Sequence, residues 1–238
     1  MSKKVNYKNN FIANVIVQLD FAPVRRFFDA VPKDIIDALQ NEYACFQGQP
    51  LSQVQVNVAT GAKIETVTPV WMFRSADSTV EMQLTQDFLK LNCVKYTSFE
   101  DLMGHIKKIA SLLANDIPVI GRLGLRYINQ IGIEGVKPSE WSNYISDYLT
   151  LPSAQWAGDE KDNIVNTVGQ IIFEYQDGMM NFNYGINSQA ASTYVLDFDC
   201  YGGNIEFAKL EESLQKFNKK VKDSFEKSIK DTLREKMN

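Results

Sequence analysis

Apolar and polar residues alternate from Phe11 to Phe21, so that Phe11, Ala13, Val15, Val17, Leu19 and Phe21 share one face. A period of two predicts a strand with one buried side, closed here by Pro23. Pro32 then opens a helix carrying Ile35, Ile36, Leu39 and Tyr43. Asp34 in its first turn meets the positive end of the helix dipole. Gly48 and Pro50 punctuate the chain before a strand at Val54, Val56 and Val58, and Gly61 marks a turn. Strands are predicted next at Thr66 to Ser75, Val80 to Leu84 and Leu89 to Cys93. Ser98 and Asp101 have the spacing of a capping box. They open a helix whose apolar face is Phe99, Leu102, Ile106, Ile109 and Leu113.

The pattern then starts again. Leu123, Leu125, Tyr127, Asn129 and Ile131 form one face of a long strand, and Pro138 opens a helix with Trp141, Tyr144, Ile145, Tyr148 and Leu149. Leu151 to Asn163, with Pro, Gly and a charge run, reads as a loop. Strands follow at Val168 to Gln176, Met179 to Ile186 and Thr193 to Tyr201, with Asp177-Gly178 as a hairpin signal. A long helix is predicted from Glu206 to about Met237.

The two halves match in order and spacing. Pro32-Lys33-Asp34 matches Pro138-Ser139-Glu140, Asn92-Cys93 matches Asp199-Cys200, and Phe99, Leu102 and Ile106 match Phe207, Leu210 and Leu214. A nearly constant offset over three elements points to a duplicated β-α-β(3-4)-α unit, residues 1–116 and 117–238. The fold class expected is α+β: antiparallel sheets covered by helices on one face, with a pseudo-two-fold resembling TATA-box-binding-protein-like or helix-grip arrangements. That likeness concerns the fold and carries no function.

Composition adds limits. The chain has 238 residues, 45% of them hydrophobic and 23% charged, which suits a globular core and excludes a disordered or collagen-like chain. A formal charge of −4 gives no broad cationic field for nucleic acid. Cys45, Cys93 and Cys200 are too far apart for a zinc motif and odd in number for a disulfide framework. They read as free thiols of a cytoplasmic protein. No apolar run has the length of a membrane span. A single histidine, His105, excludes multi-histidine metal sites.

Three strings together resemble a family: Arg122-Leu123-Gly124-Leu125-Arg126-Tyr127-Ile128-Asn129, Val195-Leu196-Asp197-Phe198-Asp199, and Phe225-Glu226-Lys227-Ser228-Ile229. The chain resembles a sporadically distributed family of uncharacterised bacterial proteins of similar length. The resemblance implies a patchily inherited protein, such as a toxin–antitoxin or phage-defence component. It implies no mechanism and no cofactor.

Candidate chemistry is sparse. Arg126, Tyr127 and Asn129 are the candidate ligand contacts, since a guanidinium fork holds carboxylates and other anions. The structural alternative is an ion pair from Arg126 to an acid on a neighbouring strand. Asp197 and Asp199 share one face of a strand, about 7 Å apart, a spacing that suits a divalent cation. No phosphate-cradling glycine motif accompanies them. No G-x-S-x-G string supports a triad through His105, which reads as a partly exposed helix histidine near Asp101, so no catalytic residue is assigned.

The last helix carries a stripe that includes Phe217, Val221, Phe225, Ile229 and Leu233. Thirty-two helical residues span roughly 48 Å, longer than one sheet can cover. The remainder points to a protein partner or a homo-oligomer. The expected function is therefore a non-catalytic interaction or regulatory protein. A small-ligand sensor of anions or nucleotides, and a metal-dependent nucleotide-processing enzyme, are the alternatives.

Overall fold

A computed structural model describes residues 7–28, 30–56, 63–156, 164–187 and 190–238. In chain order the elements are β1 Ile12–Phe21, α1 Lys33–Leu39, β2 Cys45–Val56, β3 Lys63–Arg74, β4 Val80–Leu84, β5 Phe88–Cys93 and α2 Phe99–Leu113. After these come β6 Val119–Gly132, α3 Asp147–Trp156, β7 Gly169–Tyr175, β8 Gly178–Asn187, β9 Ala190–Glu206, α4 Leu210–Ser228 and α5 Asp231–Met237. The fold class is α+β. One nine-stranded sheet runs in the order β2-β3-β4-β5-β1-β6-β9-β8-β7, which leaves β2 and β7 as its ends.

The chain forms two compact units. One comprises Met1–Val15, Leu125–Gly202 and Glu212–Asn238; the other comprises Ile16–Gly124 and Gly203–Glu211. Alternation decides each core. In the first unit Tyr194, Leu196, Phe198 and Cys200 of β9 are buried, as are Met180, Phe182 and Ile186 of β8. Leu214, Phe217 and Val221, the apolar stripe of α4, are buried in the same unit. In the second unit Val17, Leu19, Met82, Leu84, Leu91 and Leu123 supply the sheet side. Leu102, Ile106, Ile109 and Leu113 of α2 face inward there. The expected cap of α2 is present: the Ser98 hydroxyl accepts from the Asp101 N–H at 3.0 Å.

Four elements depart from the pattern read in the sequence. Strand β2 starts at Cys45 and runs through Gly48 and Pro50. It lies at the end of the sheet, where a proline is tolerated because one side of the strand needs no ladder bond. Pro138 opens a short 3-10 turn, Pro138–Asn143, and the α-helix proper begins only at Asp147. That helix continues past Leu149 to Trp156 with Pro152 inside it, so the first part of the expected loop is helical. Residues 157–163 of that loop, and the expected turn at Gly61, lie outside the described residues.

The fourth departure is the C-terminal helix, which is not continuous. After a 3-10 turn at Phe207–Lys209, α4 ends at Ser228, and α5 starts at Asp231. Between them Ile229 forms an antiparallel bridge with Ile145. The Ser146 N–H donates to the Ser228 carbonyl at 2.9 Å and the Lys230 N–H to the Tyr144 carbonyl at 2.8 Å. The Ser146 hydroxyl donates to the Lys227 carbonyl at 2.6 Å. Carbonyls that would have continued the helix are bonded instead by the segment before α3, so the end of α4 needs no further turn.

Candidate functional site

The Arg126 string lies on β6, with its two faces doing different work. Tyr127 and Asn129 share one face and are buried. The Tyr127 hydroxyl donates to Oδ1 of Asn218 on α4 at 3.0 Å, and Asn129 Nδ2 donates to the Leu196 carbonyl at 3.0 Å. Both side chains thus satisfy polar groups inside the first unit.

Arg126 lies on the opposite face. Its Nε donates to Oδ1 of Asp197 at 2.8 Å and its Nη2 to Oδ2 at 2.7 Å. This is a bidentate pair, the strong geometry for guanidinium and carboxylate. The hydrogen bond to Asp197 raises the guanidinium pKa against the opposing effect of burial, with the Asp199 charge helping. The Asp197 side chain is only 9% exposed while that of Arg126 is 43% exposed. The cross-strand ion pair considered from the sequence is therefore present.

Register extends this contact into a row. Asp197 on β9 faces Asn183 on β8, and Asn183 faces Gln170 on β7. Gln170 Nε2 donates to Asn183 Oδ1 at 2.9 Å. Asp199 faces Asn181, which faces Ile172. The face of the sheet opposite α4 thus carries Arg126, Asp197, Asn183 and Gln170 across four neighbouring strands. Asp197 and Asp199 share that face as expected. Both Asp197 oxygens are already held by Arg126, so a cation bridging the two aspartates would have to displace a guanidinium. Among the described residues no group of three or more His, Cys, Asp or Glu side chains is placed to hold a metal ion.

The C-terminal stripe is turned inward. Phe217, Val221, Ile229 and Leu233 are buried in the chain itself, and Phe225 is half-buried. Arg234 of α5 reaches α4, its Nε donating to Glu226 Oε2 at 3.0 Å. The Tyr7 hydroxyl donates to Glu226 Oε1 at 2.8 Å, and burial followed by that carboxylate pushes its pKa up to about 12. The expected single helix is two, and four of the five stripe residues named from the sequence are buried within the chain.

His105 belongs to a packed cluster in the second unit. Its Nδ1 lies 2.9 Å from the Tyr43 hydroxyl and 2.7 Å from Glu42 Oε1, and Lys108 Nζ meets the other Glu42 oxygen at 2.7 Å. Tyr43 is buried, and burial raises its pKa, with the Glu42 charge adding to the effect. Cys93 and Cys200 are buried free thiols, raised by burial to about 11 and about 12. A thiol so raised is protonated at neutral pH and unreactive.

The feature that the alternation did not single out is the outer edge of β7. Gln176 and Asp177 form a two-residue turn between β7 and β8, and Tyr175 pairs with Gly178. The Thr167 N–H donates to the Ile186 carbonyl. Odd-numbered residues therefore bond inward to β8, and the N–H and C=O groups of Gln170, Ile172 and Glu174 point away from it. No strand among the described residues pairs with that edge. Ile172 is 55% exposed and Val168, just before the strand, 79% exposed. The stretch from Ile164 to Gln176 contains neither lysine nor proline, the usual guards of an open edge. Gly169 is held close to β8: a Cβ there would sit 2.3 Å from the Tyr184 ring.

No protein-family model matches the chain, and no curated protein is significantly similar to it. No helix among the described residues is long and apolar enough to cross a membrane.

Proposed function

We propose that this chain acts as an interaction protein, binding another protein strand along the outer edge of β7. One observation carries the reading. β7 is a terminal strand whose outward backbone groups, exposed Ile172 and flanking exposed Val168 form a ready template for strand addition. The polar residues singled out as ligand contacts are engaged internally, with Arg126 on Asp197, Tyr127 on Asn218 and Asn129 on the Leu196 carbonyl. That favours protein binding over the ligand-sensor and metal-enzyme alternatives.

The same reading includes a duplicated ancestry. In support, the strand order reads outward from β1 and β6 as β5-β4-β3-β2 on one side and β9-β8-β7 on the other. Each series follows its own first strand in the chain. A TATA-box-binding-protein-like arrangement is the fold proposal that suits this order.

The test is the size of the native assembly. In extract from the source cells, the wild-type chain is expected to run well above its monomer size. Ile172→Lys, which puts a charge on the open edge of an exposed strand, is expected to run as the monomer. Equal sizes for the two would overturn the reading.

A further inference from the structure

The composition of β7 specifies what kind of strand fits its edge. We infer that the occupant is β7 of a second copy of this chain, paired antiparallel about a two-fold axis with Ile172 facing Ile172. This rests on the strand-docking function proposed above and deepens it.

Backbone geometry sets the first condition. Only Gln170, Ile172 and Glu174 present outward N–H and C=O groups within the strand. An antiparallel partner must exchange bonds with those residues. Centring the two-fold on Ile172 makes Ile172–Ile172 such a bonded pair. It also makes Gln170 of each copy face Glu174 of the other, again both outward residues. All seven residues of Gly169–Tyr175 are then used, a contact of about 24 Å along the strand.

Side chains agree with that register on both faces. On the face that carries Gln170, Ile172 and Glu174, an amide donor meets a carboxylate on each side of a central isoleucine pair. Gln170 has spent one amide hydrogen on Asn183 and keeps the other for Glu174 of the second copy. The exposed Ile172 side chains cover one another, removing apolar surface from water. On the α4 face, half-buried Ile171 meets Phe173 of the other copy, a β-branched and aromatic pair of the favoured kind. Gly169 lies opposite Tyr175. Sliding the register until Glu174 faces Glu174 places two carboxylates side by side, which is unfavourable. The charge pattern excludes that register, and the two Gln170–Glu174 contacts favour the Ile172-centred one.

An interface made chiefly by one short strand falls in the small, transient class, so the dimer is expected to be concentration-dependent. Light scattering on the purified full-length chain, across a dilution series, should show the mass pass from twice the chain mass toward the chain mass. Two substitutions at one exposed position then read the register. Gln170→Lys places a cation opposite Glu174 of the other copy and should tighten the dimer several-fold. Gln170→Glu places like charges opposite each other and should weaken it by about tenfold or more. Gln170 is exposed, so far-UV circular dichroism should show all variants folded. Ile172→Lys should give a monomer at every concentration.

A wild-type chain that remains monomeric into the hundreds of micromolar overturns the second copy as occupant. A dimer that responds equally to Gln170→Lys and Gln170→Glu overturns the Ile172-centred register, and one that ignores Ile172→Lys overturns β7 as its contact. The two ideas fail separately. A purified monomer whose assembly in source-cell extract is still lost with Ile172→Lys removes the second copy but keeps the docking edge. An extract assembly insensitive to Ile172→Lys removes the edge itself.

Discussion

At the scale of single residues, Arg126 and Asp197 show how a functional-looking string can be spent on structure. Asp197 is a nearly buried carboxylate whose two oxygens both accept from one guanidinium. Removing the guanidinium leaves the carboxylate short of partners, which costs more than the intact pair contributes. Because Arg126 is partly exposed, solvent recovers some of that loss. Arg126→Ala is expected to destabilise the chain by about 1–3 kcal/mol, read as a lower urea midpoint. In an Asp197→Ala background the same change should have little further effect, and a full effect there would deny the coupling. Alternation alone places Arg126 and Asp197 on sheet faces, so their contact was within reach of the sequence. Which acid Arg126 would choose was not, because register is a tertiary property. Asn183 and Gln170, the other members of the row, carry no signal of their own in a strand that reads simply as alternating.

Among the elements, the C-terminal segment is the instructive case. Phe225, Ile229, Leu233 and Met237 keep a strict spacing of four, so the helical period runs straight through the break. Ser228-Ile229-Lys230 has no glycine or proline to announce it. What ends α4 is competition for its carbonyls by Ser146 and the Ile145 bridge, groups more than eighty positions earlier in the chain. No local pattern encodes such a partner. The hairpin between β7 and β8 is the opposite case: Asp177-Gly178 marks it locally, and it forms with Tyr175 paired to Gly178. The broken helix carries its own prediction. Leu233 is fully buried, and α5 has only seven residues, too few to persist without packing. Leu233→Ala should cost about 2–5 kcal/mol. Amide exchange should speed up first in α5 and at the Lys230–Tyr144 bond. Loss of stability with unchanged protection in α5 would show that the helix is held by something other than this side chain.

For the whole molecule, the proposed repeat and the compact units divide the chain differently. The proposed repeat, read from matching motifs, separates residues 1–116 from 117–238. Compactness follows contacts instead, and the unit built mainly from Ile16–Gly124 also takes in Gly203–Glu211. Its buried residues include Ile117, Ile120, Leu123 and Leu210, all beyond residue 116. A chain ending at 116 would leave the side chains that pack on them exposed and would lack the whole of β6. Small domains have little stability to spare, and losing several buried aliphatic residues exceeds it. Residues 1–116 expressed alone are therefore expected to show no cooperative thermal transition and poor amide dispersion, whereas the full chain melts cooperatively. A sharp transition in the fragment would mean that residues 1–116 are an independent folding unit, and that the residues from 117 onward contribute packing it can do without.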